Sequence, residues 1–226
     1  MKILLFGATG MVGRGVLREC LLDPEVERVL MVGRHGTGQK HEKLEERVHA
    51  DLFDLSPIED ILAGHDACLF CLGVSSAGMS ERDYTRVTFD LTMAVAQALV
   101  KVDPSVTFVY VSGAGTDGSG RSGPMWARVK GRTEKALLSL PFKAVFLFRP
   151  GFIQPMHGIR SRTRLYRILY AVAAPLYPVW KVLLPGLVTT TEKVGKAMLR
   201  VARNGSPDPV LETRDINALS SAPRSL

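Results

Sequence analysis

Apolar residues follow two alternating patterns along the chain, short unbroken runs and helical spacings. The run at residues 3–6 has the length and apolarity of a buried parallel strand. Residues 11–22 instead repeat their apolar positions every three or four residues, which predicts a helix. Further strands are predicted at residues 28–32, 48–50, 67–71, 106–111 and 143–148. Strands that alternate with helices at this spacing are typical of an α/β fold, a doubly wound parallel sheet of the Rossmann type.

Polar residues at the ends of these runs predict where the helices begin and end. Ser56, Pro57 and Glu59 have the spacing of a capping box with proline in the first turn, so a short helix is expected up to Gly64. The other predictions are a long helix from Ser80, helices at 125–140 and 189–203, a stop at Gly205, a last strand at 210–211 and a loose tail from Ser220.

The alternation stops after Gly151. Residues 168–189 are almost wholly apolar, but three prolines and Lys181 interrupt them, so no membrane-spanning helix is predicted. We interpret this segment as a helical cap over a substrate pocket; the alternative is a surface that contacts a membrane or a second copy of the chain. The chain is thus divided into a Rossmann core, residues 1–155, and a C-terminal part of the same domain, residues 156–226.

A glycine motif, G-x-x-G-x-x-G, stands directly between the first strand and the first helix. In this position one glycine allows a tight turn, one lets a pyrophosphate approach the backbone, and one lets the helix pack on its strand. The start of the helix also offers free N–H groups to phosphates. The motif therefore predicts a nicotinamide dinucleotide site; the alternative is a glycine-rich turn of another α/β protein. The cofactor-binding residues predicted here are Gly7, Thr9, Gly10, Met11, Val12 and Gly13.

The residue after the second strand selects between the two nicotinamide dinucleotides. An acid there would bind the ribose 2′-hydroxyl of NAD(H), but the sequence has Gly33 followed by Arg34. A guanidinium matches a 2′-phosphate in charge and geometry, so NADP(H) is favoured over NAD(H). The alternatives for Arg34 are a solvated loop charge or stacking on adenine.

Charge and cysteine content narrow the partners. The net charge of +7 is explained by residues 135–191, which contain eight lysines and arginines and no acid. Such a patch suits an anionic ligand or a membrane surface, whereas no motif for nucleic acid accompanies it.

Three cysteines and no evident export signal predict a reducing compartment, the cytoplasm. Cys68 and Cys71 point to opposite faces of a strand, so no metal site is predicted.

In their order along the chain, the glycine motif, Arg34, Asp51, Cys71-Leu72-Gly73, Ser112 and Lys130 resemble those of the short-chain dehydrogenase/reductases. The closest resemblance is to their atypical NAD(P)-binding group, which includes the nitrogen-metabolite-repressor-like and Tat-interacting-oxidoreductase-like proteins. It implies that Asp51 and Leu52 contact adenine and that Leu72 and Gly73 contact the adenosine ribose and a phosphate. It further implies that Ser112 orients a substrate and that Lys130 holds the nicotinamide ribose. Cys71, Pro150 and Gly151 complete the implied cofactor set.

The chain departs from this family at Trp126. Four residues before the family's lysine, active members carry a tyrosine that exchanges a proton with the substrate oxygen. An indole does not ionise usefully, although residues four apart on a helix share one face and Trp126 therefore faces the same crevice. Two functions follow. One is an oxidoreductase or epimerase-like enzyme on a small apolar carbonyl or quinone, with Ser112, Lys130 and Trp126 at the catalytic site; the other is a non-catalytic NADP(H) redox sensor.

Overall fold

The computed structural model describes residues 1–119, 123–159 and 186–222, and within them strands and helices alternate as predicted. The strands are β1 Lys2–Phe6, β2 Arg28–Gly33, β3 Leu44–Val48, β4 Ala67–Phe70, β5 Thr107–Val111, β6 Ala144–Arg149, β7 Phe152–Gln154, β8 Val188–Thr190 and β9 Val210–Glu212. The helices are α1 Met11–Leu22, α2 Glu81–Thr85, α3 Leu91–Val102, α4 Met125–Leu138, α5 Thr191–Asn204 and α6 Thr213–Ser221, with a 3₁₀ helix at Ser56–Ile61 and a π-helical turn at Arg86–Asp90.

Seven parallel strands form the central sheet in the order β3-β2-β1-β4-β5-β6-β9. β1 lies near the middle, with Ile3 beside Val29 of β2 on one side and beside Ala67 of β4 on the other. The carboxyl ends of β1, β4, β5 and β6 therefore stand next to one another along one edge. This arrangement confirms the doubly wound α/β fold.

Helices cover both faces of the sheet. On one face, α1, α5 and α6 enclose an apolar cluster that includes Val16, Met198 and Ile216; on the other, α3, α4 and the 3₁₀ helix enclose one that includes Leu99 and Leu137. α1 and α5 pack closely at Gly15. A Cβ on Gly15 would lie 2.5 Å from Cβ of Thr191, so the absence of a side chain allows this approach. Cys68 lies in the second cluster and Cys71 packs against the first, so these two thiols face opposite sides as predicted.

Three local predictions were wrong. The third strand is at Leu44–Val48 rather than 48–50. It is an edge strand, and its polar residues obscure the alternation of apolar and polar positions that marks a strand. Ser56 does not cap a helix; its hydroxyl donates to the carboxylate of Asp54, and Leu55 precedes a 3₁₀ helix. The tail from Ser220 is not loose at its start, because α6 continues to Ser221.

The C-terminal part completes the core. β9 pairs with β6 and α5 packs on α1, while β7 and β8 form a separate parallel pair. The predicted cap and most of the apolar segment 168–189 lie outside the described residues. Among the described helices, none has the length and apolarity to cross a membrane.

Candidate functional site

The glycine motif forms a tight turn whose backbone leaves no room for side chains at two of its positions. Gly7 has a φ of 84°, and a Cβ on it would lie 2.6 Å from the carbonyl carbon of Cys71. A Cβ on Gly13 would lie 2.0 Å from the carbonyl oxygen of Gly7. These contacts bring the start of α1 directly against the ends of β1 and β4.

The N-terminus of α1 is open. Gly10 precedes the helix without a side-chain cap, and its own N–H donates to the Gly7 carbonyl oxygen at 3.0 Å. The first intrahelical bond runs from Arg14 N to Gly10 O, 2.9 Å, so the N–H groups of Met11 and Val12 have no partner within the helix. No acidic residue stands in this first turn. The N-terminus can therefore accept an anionic group.

A cleft of about 450 Å³ adjoins the turn on the α1 side. Arg14 of α1 and Thr37 of the loop after β2 both line it, and Arg34, exposed just after β2, lies three residues before Thr37. The lining residues are Ala8, Arg14, Leu17, Arg18, Thr37, Gln39, His157, Gly158 and Ile159. Of its two arginines, Arg18 pairs with Glu19, so among the described residues Arg14 is the lining arginine without an acidic partner.

Glu46, a residue that the sequence analysis missed, fixes the loop after β2. Its carboxylate accepts hydrogen bonds from Thr37 N, at 2.9 Å, and from the Thr37 hydroxyl. Glu46 lies on β3, and a Cβ on Gly36 would meet its carboxylate at 2.8 Å. The sequence did not indicate a role for Glu46, because it is one of several charged residues in the polar edge strand β3.

The residues expected around adenine and its ribose lie at the ends of β3 and β4. Leu52 is buried, whereas the Asp51 carboxylate is exposed and accepts from Phe53 N at 2.9 Å. Cys71 N donates to Phe6 O, and Gly73 is exposed one residue beyond Leu72. Burial raises the pKa of the Cys71 thiol, so it is not a reactive thiolate.

Pro150 and Gly151 stand at the end of β6, where the chain turns into β7. The Pro150 carbonyl accepts from Ala114 N at 2.9 Å, and Gly151 N donates to the Thr213 hydroxyl at 2.9 Å. A Cβ on Gly151 would lie 2.4 Å from Leu187 O. Both residues thus hold neighbouring loops at the same edge of the sheet as the glycine turn.

Ser112 directly follows β5 and is buried. Its hydroxyl lies 3.1 Å from that of Thr116, and the Thr116 hydroxyl donates to Gly113 O at 2.7 Å. Because Thr116 gives its only proton to that carbonyl, Ser112 is the donor of the bond between the two hydroxyls. Thr116 is a residue that the sequence analysis missed, although its spacing of four from Ser112 across a glycine turn is a usable signal.

Lys130 reaches the same strand end from α4. Its ammonium group donates to the backbone carbonyl of Ser112 at 2.7 Å and stands 5.9 Å from the centre of the Tyr110 ring. Burial lowers its pKa to about 8, and the charge of Glu134 partly opposes that shift. The structure therefore brings Ser112 and Lys130 together, two strand spacings, about 10 Å, from the glycine turn.

Trp126 packs on the loop after Ser112 rather than beside it. A Cβ on Gly113 would lie 3.9 Å from the indole, and one on Gly115 would lie 3.6 Å from it. Among the described residues, no tyrosine is positioned to replace the proton-exchanging tyrosine of the short-chain dehydrogenase/reductases. Tyr84 and Tyr110 are buried in the core, and desolvation by burial raises the pKa of Tyr110.

The loop that begins at Gly113 is fixed where the structure describes it. A Cβ on Gly131 of α4 would lie 1.6 Å from the carbonyl oxygen of Asp117, and Asp117 N donates to Ala127 O at 3.3 Å. Residues 113–119 therefore form a wall beside Ser112.

His157 stands on the α1 side of the site. It has a φ of 56°, unusual for a residue with a side chain, and its imidazole Nε2 lies 3.0 Å from the Glu192 carboxylate. It lines the cleft beside the glycine turn and a second cleft of about 510 Å³ between α1, α5 and α6.

A family model, described as the NAD dependent epimerase/dehydratase family, matches residues 3–138. Protein HTATIP2 of Rattus norvegicus is 27% identical over 155 residues, which cover 67% of this chain and 62% of that protein. The chain thus matches less than two thirds of the rat protein's length. Protein fmp52, mitochondrial, of Emericella nidulans is 28% identical over 210 residues, 87% of this chain and 84% of that protein.

Solved structures share the fold. The Bordetella bronchiseptica enzyme WbmH, solved in complex with NAD⁺, superposes with a TM-score of 0.62 at 16% identity. The match covers 93% of this chain and 74% of that enzyme. At this identity the likeness concerns the fold alone.

Proposed function

The chain belongs to the NAD dependent epimerase/dehydratase family, and on that premise we propose that it is an NADP(H)-dependent oxidoreductase acting on a small apolar carbonyl compound or quinone. The observation that carries this proposal is the meeting of Lys130 and Ser112 at the end of β5, in the same row of strand ends as the glycine turn. The proposed cofactor site and the proposed proton-donating site thereby lie at the same edge of the sheet.

The residues at the glycine turn and at the neighbouring strand ends fit a dinucleotide. The contacts of Gly7 and Gly13 make a turn that side chains would fill, and Gly10 leaves the N-terminus of α1 open to a pyrophosphate. Gly7, Thr9, Gly10, Met11, Val12 and Gly13 would hold it, with Asp51, Leu52, Cys71, Leu72 and Gly73 around the adenosine and Lys130, Pro150 and Gly151 around the nicotinamide half. When bound, the nicotinamide ring supplies or accepts a hydride.

The cleft beside the turn supports a preference for the 2′-phosphate. Arg14 lines it and Arg34 stands at the end of β2, and neither has an acidic partner among the described residues. Two guanidinium groups with no competing carboxylate suit a phosphate dianion. The Glu46 carboxylate accepts both Thr37 hydrogen bonds through Oε1 and so orients the loop after β2.

We therefore expect Arg14→Ala and Arg34→Ala each to weaken NADPH binding by about tenfold, the value of one charge-assisted hydrogen bond. NADH affinity should change less than threefold, because NADH lacks the phosphate. Calorimetric titration measures both, and Arg82→Ala is the control, since Arg82 is almost fully exposed on α2. Equal losses for NADPH and NADH would contradict the preference.

Reduction of a carbonyl also needs a proton on the substrate oxygen, and we assign its donation to Lys130. A lysine whose pKa is about 8 is mostly protonated at pH 7 yet is a stronger acid than an exposed lysine. Its proton reaches the substrate directly or through the Ser112 hydroxyl. Ser112 orients the same oxygen once the substrate replaces Thr116 as the acceptor of its hydrogen bond.

Two aromatic side chains support the proposed substrate class. Trp126 lies on Gly113 and Gly115, and Phe152 is half-buried at the start of β7. A flat ring such as a quinone stacks on an indole in an offset or edge-to-face arrangement. Turnover of NADPH with aromatic carbonyls and quinones, lost in Ser112→Ala, is the test.

A second function, a non-catalytic NADP(H) redox sensor, is favoured by one observation. The two tyrosines among the described residues, Tyr84 and Tyr110, are buried in the core, and Trp126 occupies the helical position of the family's tyrosine. The variant Trp126→Tyr separates the two functions. If the wild type is an enzyme, the variant changes a measurable rate, and we expect this result; a wild type without any turnover and a variant that turns over would establish the sensor.

The proposed compartment is a reducing one. Cys20, Cys68 and Cys71 are free thiols, and Cys20 and Cys68 are buried. The cytoplasm remains our prediction from the sequence, while the name of the Emericella nidulans relative assigns that protein to mitochondria.

A further inference from the structure

A buried ion pair lies behind Lys130. Glu134 is 3% exposed, and its carboxylate accepts two hydrogen bonds from Arg149, at 3.0 Å from Nε and 2.5 Å from Nη2. The third guanidinium nitrogen, Nη1, donates to the exposed carboxylate of Glu212 at 3.3 Å. An ion pair taken out of water in this way costs desolvation energy, so its presence calls for a role besides stability.

The pair is joined to Lys130 through α4. Glu134 lies four residues after Lys130, so the two side chains share one face of the helix. Arg149 is the last residue of β6, and β6 is the neighbour of β5, whose end carries Ser112. The ion pair therefore fastens the helix that carries Lys130 to the strand beside Ser112.

The same pair supports the wall that follows Ser112. A Cβ on Gly118 would lie 3.6 Å from Nη2 of Arg149, so the guanidinium backs the loop at this point. One turn before Glu134, Gly131 admits the carbonyl of Asp117 to the helix surface. Helix, strand and loop thus meet around one pair of charges.

We infer that Glu134 and Arg149 are a positioning pair that holds the Lys130 ammonium on the Ser112 carbonyl and balances its charge. The inference rests on the proposed function only for its consequence in turnover; the placement of Lys130 can be measured without substrate or cofactor. Glu212 binds the same guanidinium through Nη1 but is half exposed, so it is the natural comparison for the buried Glu134.

Within the described part of the chain, the groups in contact with Lys130 are the Tyr110 ring and the Ser112 carbonyl from β5. Glu134 acts on it from the same helix, and behind Glu134 lie the guanidinium of Arg149 and the carboxylate of Glu212. Glu134 is the one of these whose charge acts to raise the pKa of Lys130, against the larger effect of burial.

Two substitutions are expected to move the pKa of Lys130 in opposite directions. In Glu134→Gln the anion is lost and the cation of Arg149 remains, so the pKa of Lys130 falls by about one unit. In Arg149→Met the Glu134 carboxylate loses its cation, so the pKa rises. A pair with a merely structural role gives a different result, because loosening admits water and raises the pKa in both variants.

The experiment is an NMR pH titration of the full chain labelled with ¹³Cε-lysine, without cofactor or substrate, in which Lys130→Arg identifies the signal. Glu134→Gln should shift the Lys130 midpoint down, and the matched control Glu212→Gln should shift it by less than half as much. Arg149→Lys, which keeps the charge if Arg149→Met does not fold, should stay near the wild type. An unchanged or raised midpoint in Glu134→Gln, or an equal fall in Glu212→Gln, overturns the inference, whereas absence of turnover bears only on the proposed function.

Discussion

Lys130→Met is expected to lower the rate of NADPH-dependent carbonyl reduction by at least about 100-fold, the lower range for loss of a general acid. Methionine preserves the length and apolar stem of lysine but donates no proton, and it cannot bind the Ser112 carbonyl. Stopped-flow or steady-state oxidation of NADPH measures the loss. Lys135→Met is the matched control, because Lys135 is an exposed lysine in the last turn of the same helix.

The same lysine sets the direction of the pH dependence. Burial lowers the pKa of Lys130 to about 8, and the protonated form is the acid in reduction. The reduction rate should therefore be constant below that value and fall as the pH rises through it, about tenfold per unit. The reverse oxidation needs the neutral amine and should rise over the same interval. A reduction rate that increases above pH 8, or a Lys130→Met variant as fast as the wild type, would remove Lys130 from the proton transfer.

Gly13→Ala is expected to weaken NADPH binding by at least about 100-fold and to lower the melting temperature. Its Cβ would lie 2.0 Å from the Gly7 carbonyl oxygen, far inside van der Waals contact, so α1 must move away from the turn. The N–H groups at the start of α1 then no longer point at the pyrophosphate. Calorimetric titration and thermal unfolding measure the two effects.

Leu22→Ala is the control for this substitution. Leu22 is the last residue of the same helix, at the end away from the glycine turn, and its side chain is exposed. We expect its NADPH affinity within about threefold of the wild type, the size of an ordinary surface substitution. If Gly13→Ala binds NADPH as tightly as this control, the glycine turn is not the cofactor site.

The sequence was sufficient to predict the elements whose apolar residues follow a clear pattern. The run at β1, the glycine motif and the apolar spacing of α1 agree with one another, and each was found within a residue or two. The resemblance to the short-chain dehydrogenase/reductases agrees with the matched family. It also led to Ser112 and Lys130, which the fold places in contact although 18 residues separate them.

The parts that the sequence did not predict depend on tertiary contacts. β3 is a polar edge strand, so its residues Leu44–Val48 show little apolar alternation. Ser56 has the residue type of a cap, but Asp54 competes for its hydroxyl. Glu134 lies in an amphipathic helix and Arg149 at a strand end, where charged residues are usually exposed. Their burial results from the packing of α4 beside β6, which the sequence does not specify locally.

The measurement that tests the account most directly is a calorimetric titration of the wild-type chain with NADPH and with NADH under the same conditions. The glycine turn and the arginines at Arg14 and Arg34 predict that both bind and that NADPH binds at least about tenfold more tightly, since the 2′-phosphate adds a charge-assisted contact. Binding of neither dinucleotide, or tighter binding of NADH, would contradict it.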